Sequence, residues 1–447
     1  MESKEELKRT LGFFPALATV MGSVIGSGVF FKGASVAQAT QTTSLFMFVW
    51  IFAGVISICA ALTGAEMAAA IPETGGMLRY IERGYGKTAA FLLGWAQVMI
   101  YFPAEVAALS IVFGTQVIHL LGLSQDFLVP IALSVAILTA LLNFLGSRVG
   151  GLIQSIAFVM KLIPIILIII FGILHQDTAQ VSLFPLSVGH HLSFFPALGA
   201  GLLATMYAYN GWIYVGNIAG ELKNPTKDLP RAISIGIVGV MIIYVLINYI
   251  FIKVLPISQL SGNEDAASKV AELLFGGIGG KIITIGILIS VYGTINGYTM
   301  TAMRQPYTLA KEKLFPFWKL LVKVHKGTPI ASGVLELILA CTMICIAFFS
   351  NDGFNLLTDM LVFIIWLFYT LVFIALFLLR KREPDLLRPY KVPLYPIVPT
   401  IAILGGLFII CMTLFNDFAL SLTGIGATLL GLPIYFYLKK KYHTPSI

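Results

Sequence analysis

Gly22-Ser23-Val24-Ile25-Gly26-Ser27-Gly28-Val29-Phe30 lies in the middle of the first membrane-length apolar run. Two glycines flanking a serine are poor helix formers, and hydrocarbon offers no water to the backbone groups they free. Each unsatisfied group costs several kcal/mol there, so a break survives only buried in protein or lining a cavity. The stretch therefore predicts a helix interrupted at mid-membrane, where the protein holds something. A close helix–helix contact would also use glycine at such a place.

Composition sets the membrane context. Hydrophobic residues make up 58% of the chain and charged residues 11%, where soluble domains carry about 25% charged. Mean hydropathy is +0.92. Runs of about 20 apolar residues can cross a bilayer, and polar or turn-rich joints divide this chain into twelve: near 12–39, 43–70, 88–116, 127–145, 150–174, 193–219, 231–256, 276–311, 329–350, 355–380, 396–416 and 418–438. The first run follows a charged start without a small-residue cleavage site, so it is expected to be a full span and not a signal peptide. Cys59, Cys341, Cys345 and Cys411 all lie in apolar runs and read as packing residues, and the histidines lack ligand spacing. No metal, cofactor or disulfide is expected.

Lysine and arginine set the orientation. With the N-terminus inside, the inner segments hold 24 of them, beginning with Lys4, Lys8 and Arg9 and including Arg148 and Lys326. The outer side holds four, Lys32, Lys253, Lys269 and Lys281, and Lys161 lies within a span. Both termini are expected to be cytoplasmic. The net charge of +8 is this bias and not a nucleic-acid footprint, since no basic–aromatic interleaving accompanies it.

A second interruption falls in span six, at Tyr207-Ala208-Tyr209-Asn210-Gly211-Trp212. Spans one and six are five apart, so a repeat of that unit would be inverted in the membrane. Paired interruptions in two such halves point to a midplane site. The half-helix starting after Gly28 offers free N–H groups and a positive dipole end to an anion. The helix end before the second break offers carbonyls to a cation. An α-amino acid satisfies both.

The motifs around these breaks are Val24 to Phe30, Ile71-Pro72-Glu73-Thr74-Gly75-Gly76, Ala208-Tyr209-Asn210-Gly211-Trp212, Gly220-Glu221-Leu222-Lys223-Asn224-Pro225, Leu229-Pro230-Arg231-Ala232 and Val392-Pro393-Leu394-Tyr395-Pro396. With them the chain resembles the amino acid–polyamine–organocation superfamily. Within it, the chain is similar to bacterial relatives of the L-type amino-acid transporters, such as serine/threonine and alanine–serine–cysteine exchangers. The resemblance implies an all-α integral membrane protein of twelve helices working by alternating access. It would form one domain over 1–447 with the LeuT-type five-plus-five inverted repeat, halves at about 12–174 and 193–380, and extra helices at about 396–438.

Carried over by position, the resemblance implies that amides around Gly26, Ser27 and Gly28 bind the substrate carboxylate. Carbonyls of Val24, Ile25, Tyr207, Ala208 and Asn210 would bind the ammonium. Tyr207 would gate the site from outside. Asn210, where many relatives have a small residue, would shrink the pocket and favour alanine, serine, glycine, cysteine or threonine.

Lys161 is an ionisable group at mid-span in span five, functional by default. In the resemblance it stands where sodium-coupled members hold a sodium ion, bridging span one to span eight near Ser290 or Thr294. It could tether substrate-dependent contacts, which suits exchange, or carry a proton, which suits symport. Tyr244 in span seven matches a position linked to the first break; a packing tyrosine would look the same. Glu66 reads as a structural ion-pair partner at the end of span two. Glu105 in span three could pair with Lys161, protonate during transport, or sit as a neutral hydrogen-bonded acid. Trp366 in span ten could wall the pocket or fill the core. Lys32 and Glu336 give no signal.

The function expected is sodium-independent exchange of small neutral L-amino acids. The alternatives are a proton-coupled symporter on the same fold and, from another class, an amino-acid sensor. An enzyme is not expected, because no nucleophile–base or acid pair converges on the breaks. In human relatives a cysteine between spans three and four joins a heavy subunit. The segment His119 to Asp126 has none, so no disulfide-linked partner is expected.

Overall fold

The structure is a computed structural model that describes residues 12–442 apart from 74, 177, 178, 190, 264, 326 and 351. Lys4, Lys8, Arg9, Thr74 and Lys326 lie outside the described residues, as do the side chains of Arg148 and Glu221. The protein is an all-helical membrane protein, and eleven segments among the described residues are long and apolar enough to cross a bilayer. The expected sixth span is the one outside that set. It consists of a helix over Phe194–Ala208 and a 3-10 helix over Trp212–Glu221, and neither piece alone has the length.

Span one is likewise divided, into Phe13–Val24 and Gly28–Thr40. Span two runs unbroken from Thr43 to Ala70, its start capped by Thr42, whose hydroxyl accepts from the Leu45 amide at 3.4 Å. Its other end is pinned by the fully buried Glu66. That carboxylate takes two bonds from Arg380, at 2.9 and 2.6 Å, and one from the Val392 amide at 2.7 Å. The pairing role read for Glu66 is what its neighbours provide.

Span three contains a widened turn. The helix Lys87–Ala96 passes through a π-helical segment, Gln97–Tyr101, into Phe102–Leu121. Pro103 explains it: proline donates no N–H, and its ring crowds the carbonyl four residues back, so the chain opens by one residue. The widened turn ends at Tyr101, which meets the second break.

The expected eighth span, 276–311, is corrected at both ends. The helix covers Ala266–Ala302 with a bend at Gly276, where φ is +74°, and Arg304–Lys311 forms a separate helix. Glycine adopts that φ without the steric penalty of a Cβ. The last expected span is also two helices, Phe418–Leu429 and Gly431–Tyr442.

Candidate functional site

The two interruptions lie against each other. Ile25 leaves the helix with ψ 93°, and the chain re-enters at Gly28. The amides of Gly26, Ser27, Gly28 and Val29 donate to no backbone carbonyl among the described residues. They form the free N–H group of a helix start, suited to an anion. A Cβ on Gly28 would fall 2.6 Å from the Ala208 Cα. A side chain there would drive the two breaks apart, so glycine is needed for a close approach and not for its φ.

The second break begins two residues later than the sequence suggests. Tyr207 and Ala208 are still helical, and the turn is Tyr209-Asn210-Gly211, with φ +111° at Gly211. Ser23 donates from Oγ to the Gly211 carbonyl at 3.1 Å, which ties the turn back to span one.

Three side chains anchor the breaks, and one of them, Tyr244, joins the two to each other. The Tyr244 hydroxyl reaches the Val24 carbonyl at 2.8 Å and the Ala208 carbonyl at 3.0 Å, bridging the ends of both half-helices. Lys161 is fully buried and donates from Nζ to the Gly22 and Ile25 carbonyls, each at 2.7 Å, and to Thr294 Oγ1 at 3.5 Å. Spans one, five and eight are thereby joined. Of the two hydroxyls named for this role only Thr294 takes part; Ser290 Oγ is buried without a partner, and Ser290 contributes its carbonyl to Thr294. Asn210 is clamped. Its Nδ2 donates to the Tyr101 hydroxyl at 2.6 Å, and its Oδ1 accepts from Tyr369 at 2.8 Å.

Four of the five carbonyls assigned to the substrate ammonium already face donors: the Tyr244 hydroxyl between Val24 and Ala208, Lys161 at Ile25, and the Asn210 amide at Tyr207, 3.2 Å. Each carbonyl has two lone pairs, so an ammonium can share these oxygens.

Above the breaks the structure assembles a group that sequence reading missed. Lys32, counted as an outer loop residue, is fully buried in the second half of span one. Its Nζ donates to Asn355 Oδ1 and Thr358 Oγ1, both at 2.6 Å, and pairs with Asp359 at 3.6 Å. It lies 5.3 Å from the Tyr207 ring centre and 4.7 Å from that of Phe354. The Tyr207 hydroxyl is 3.2 Å from Ser27 Oγ. Glu105 stands beside Tyr207 and Lys32, not Lys161, so the suggested Glu105–Lys161 pair is corrected. Span three carries Glu105 to the side of the breaks where Lys32 lies, while Lys161 points at the carbonyl end of the first half-helix. Trp366 packs on Tyr369 at 5.6 Å and on Phe373, and meets Asn210 only through Tyr369.

Two interrupted helices packed against each other and anchored by a buried lysine and a tyrosine are the architecture of a membrane transporter. The chain belongs to the amino acid permease family of the amino acid–polyamine–organocation superfamily, which it matches over residues 11–435. It is 36% identical to the serine/threonine exchanger SteT of Bacillus subtilis (strain 168), across 97% of this chain and 98% of that protein. The cystine/glutamate transporter of Homo sapiens is 29% identical, covering 97% of this chain and 86% of its own. Asc-type amino acid transporter 1 of Mus musculus is also 29% identical, covering 96% and 81%. The protein is a multi-pass membrane protein of amino-acid transport, and its relatives are transporters and not enzymes.

Proposed function

We propose that the protein is a sodium-independent exchanger of small neutral L-amino acids, alanine, serine, cysteine, glycine and threonine among them, working by alternating access. The observation that carries this reading is the Lys161 ammonium bound to the Gly22 and Ile25 carbonyls and to Thr294. A fixed cation at the base of the first break supplies the charge that a bound sodium ion would bring. Substrate carboxylate would take the amides of Gly26, Ser27 and Gly28. Its ammonium would share the carbonyls of Val24, Ile25, Tyr207, Ala208 and Asn210. Small substrates suit Asn210, whose side chain is fixed between Tyr101 and Tyr369. The serine/threonine exchanger and Asc-type relatives support exchange and small substrates.

In the same reading 12–174 and 193–380 are inverted halves of one domain, spans eleven and twelve are additions, and both termini are cytoplasmic by the lysine and arginine bias. The protein works without a disulfide-linked heavy subunit. A covalent heterodimer on a non-reducing gel would contradict that. A specific observation keeps proton-coupled symport as a second reading: Glu105 is buried beside Tyr207 with one carboxyl oxygen unpartnered. The test is a competition panel against labelled alanine in sodium-free proteoliposomes, with and without a proton gradient. Competition by small neutral amino acids is expected, with no net accumulation driven by the gradient. Uptake that needs sodium, or stronger competition by leucine than by serine, would sink the proposal.

A further inference from the structure

Glu336 in span nine is the most isolated acid among the described residues. It is 5% exposed, and both carboxyl oxygens are buried without a hydrogen-bond partner among the described residues. It faces a small cavity between spans three, four, eight and nine, whose walls include Pro103, Ala136, Thr299 and Gly333. Thr299 Oγ1 is also buried there without a partner. No other wall residue carries a titratable group, from any of the four spans.

A carboxylate left ionised in such a place costs several kcal/mol or more, so it binds a cation or takes up a proton. The oxygens decide which. The side chains supply three, two from Glu336 and one from Thr299. Hard metal cations take about six or more oxygens. Three oxygens among apolar walls suit a proton on the acid.

The cavity reaches the joint at the end of span eight. One wall residue is Met303, the single residue between the end of span eight at Ala302 and the helix starting at Arg304. Glu336 lies six residues inside its own helix, whose first residue is Ile330, a depth of about 9 Å. Movement at that joint would admit water. The cavity also adjoins the site. Its wall residue Phe102 follows Tyr101, which holds Asn210, and Thr299 lies on the same helix as Thr294, which holds Lys161.

We propose that Glu336 is a proton-binding site through which the pH at the Met303 side sets the rate of transport. This rests on the transport reading above. The acid is neutral in the packed arrangement. It releases its proton to water when the Met303 joint opens, and recovers one before the joint closes.

Two measurements test it. In wild-type protein, a hydrophobic carbodiimide adds only to the protonated acid, so its adduct at Glu336, mapped by mass spectrometry, should fall at least about threefold from pH 6 to pH 9. Labelling independent of pH, or none at Glu336, overturns the proposal, and this readout needs no transport. In proteoliposomes the wild-type exchange rate should change with pH at one face, and Glu336→Gln should flatten that profile. A Glu336→Gln profile that follows the wild type overturns it. Absence of exchange by the wild type would count against the function reading and leave the labelling result to decide on the proton site.

Discussion

Two of the lysines buried in the spans, Lys161 and Lys32, have opposite surroundings. Lys161 is held by neutral groups, two carbonyls and a hydroxyl. Lys32 has a carboxylate, an amide, a hydroxyl and two aromatic faces. An ammonium bound only by dipoles depends on the helix break that provides them, because continuous helix carbonyls are already used. An ammonium paired with a carboxylate depends on its partner side chain, and removing either leaves the other charge buried. Lys161 is thus coupled to the conformation of the break, and Lys32 to the packing of span one on span ten.

The largest expected effect is at Lys161. Lys161→Ala removes the donor to the Gly22 and Ile25 carbonyls, and exchange should fall by about 100-fold or more, since a misplaced site costs on that scale. Circular dichroism and size exclusion should show a folded protein. Exchange at the wild-type rate would remove Lys161 from the mechanism.

Lys32→Met should act on stability. Breaking a buried pair costs about 3–5 kcal/mol, less where one partner meets solvent. Asp359 is 30% exposed, so about 2 kcal/mol is expected, read as a lower Tm. Adding Asp359→Asn should restore most of the loss, whereas Lys161 has no carboxylate partner among the described residues. A double variant no more stable than Lys32→Met would erase the contrast between the lysines.

Tyr244→Phe removes one hydroxyl proton shared between the Val24 and Ala208 carbonyls, worth about 1–1.5 kcal/mol, and should raise the KM for alanine about tenfold. Asn210→Gly should admit larger side chains in competition assays. An unchanged profile would mean that the clamp between Tyr101 and Tyr369 serves packing alone.

The smallest effect lies outside the spans. Arg83 holds the Glu383 carboxyl below its usual range by hydrogen bond and charge. A depressed carboxyl contributes stability above its unfolded-state pKa and loses it as pH falls through the folded value. Glu383→Gln should therefore cost under about 1 kcal/mol at neutral pH and nothing in acid, as for exposed pairs generally.

Both breaks were legible because glycine and asparagine contradict a helix wherever lipid demands one. Lys161 was legible because a lone cation at mid-span has no bland explanation. Lys32 was not. It lies near the end of an apolar run, where charge counting assigns it to a loop, and its partner Thr358 is 326 positions away. The Tyr101–Asn210–Tyr369 clamp was hidden for the same reason, and also because the π turn that aims Tyr101 follows from Pro103 only once the helix is seen to continue. Span boundaries slipped where a joint carried apolar residues, as at Met303 and Leu430.

The most direct measurement of obligatory exchange is efflux from sodium-free proteoliposomes loaded with labelled alanine. Rapid release into buffer containing serine, with little release into buffer without amino acid, is the expected result. Equally fast release into both would contradict exchange through the paired breaks.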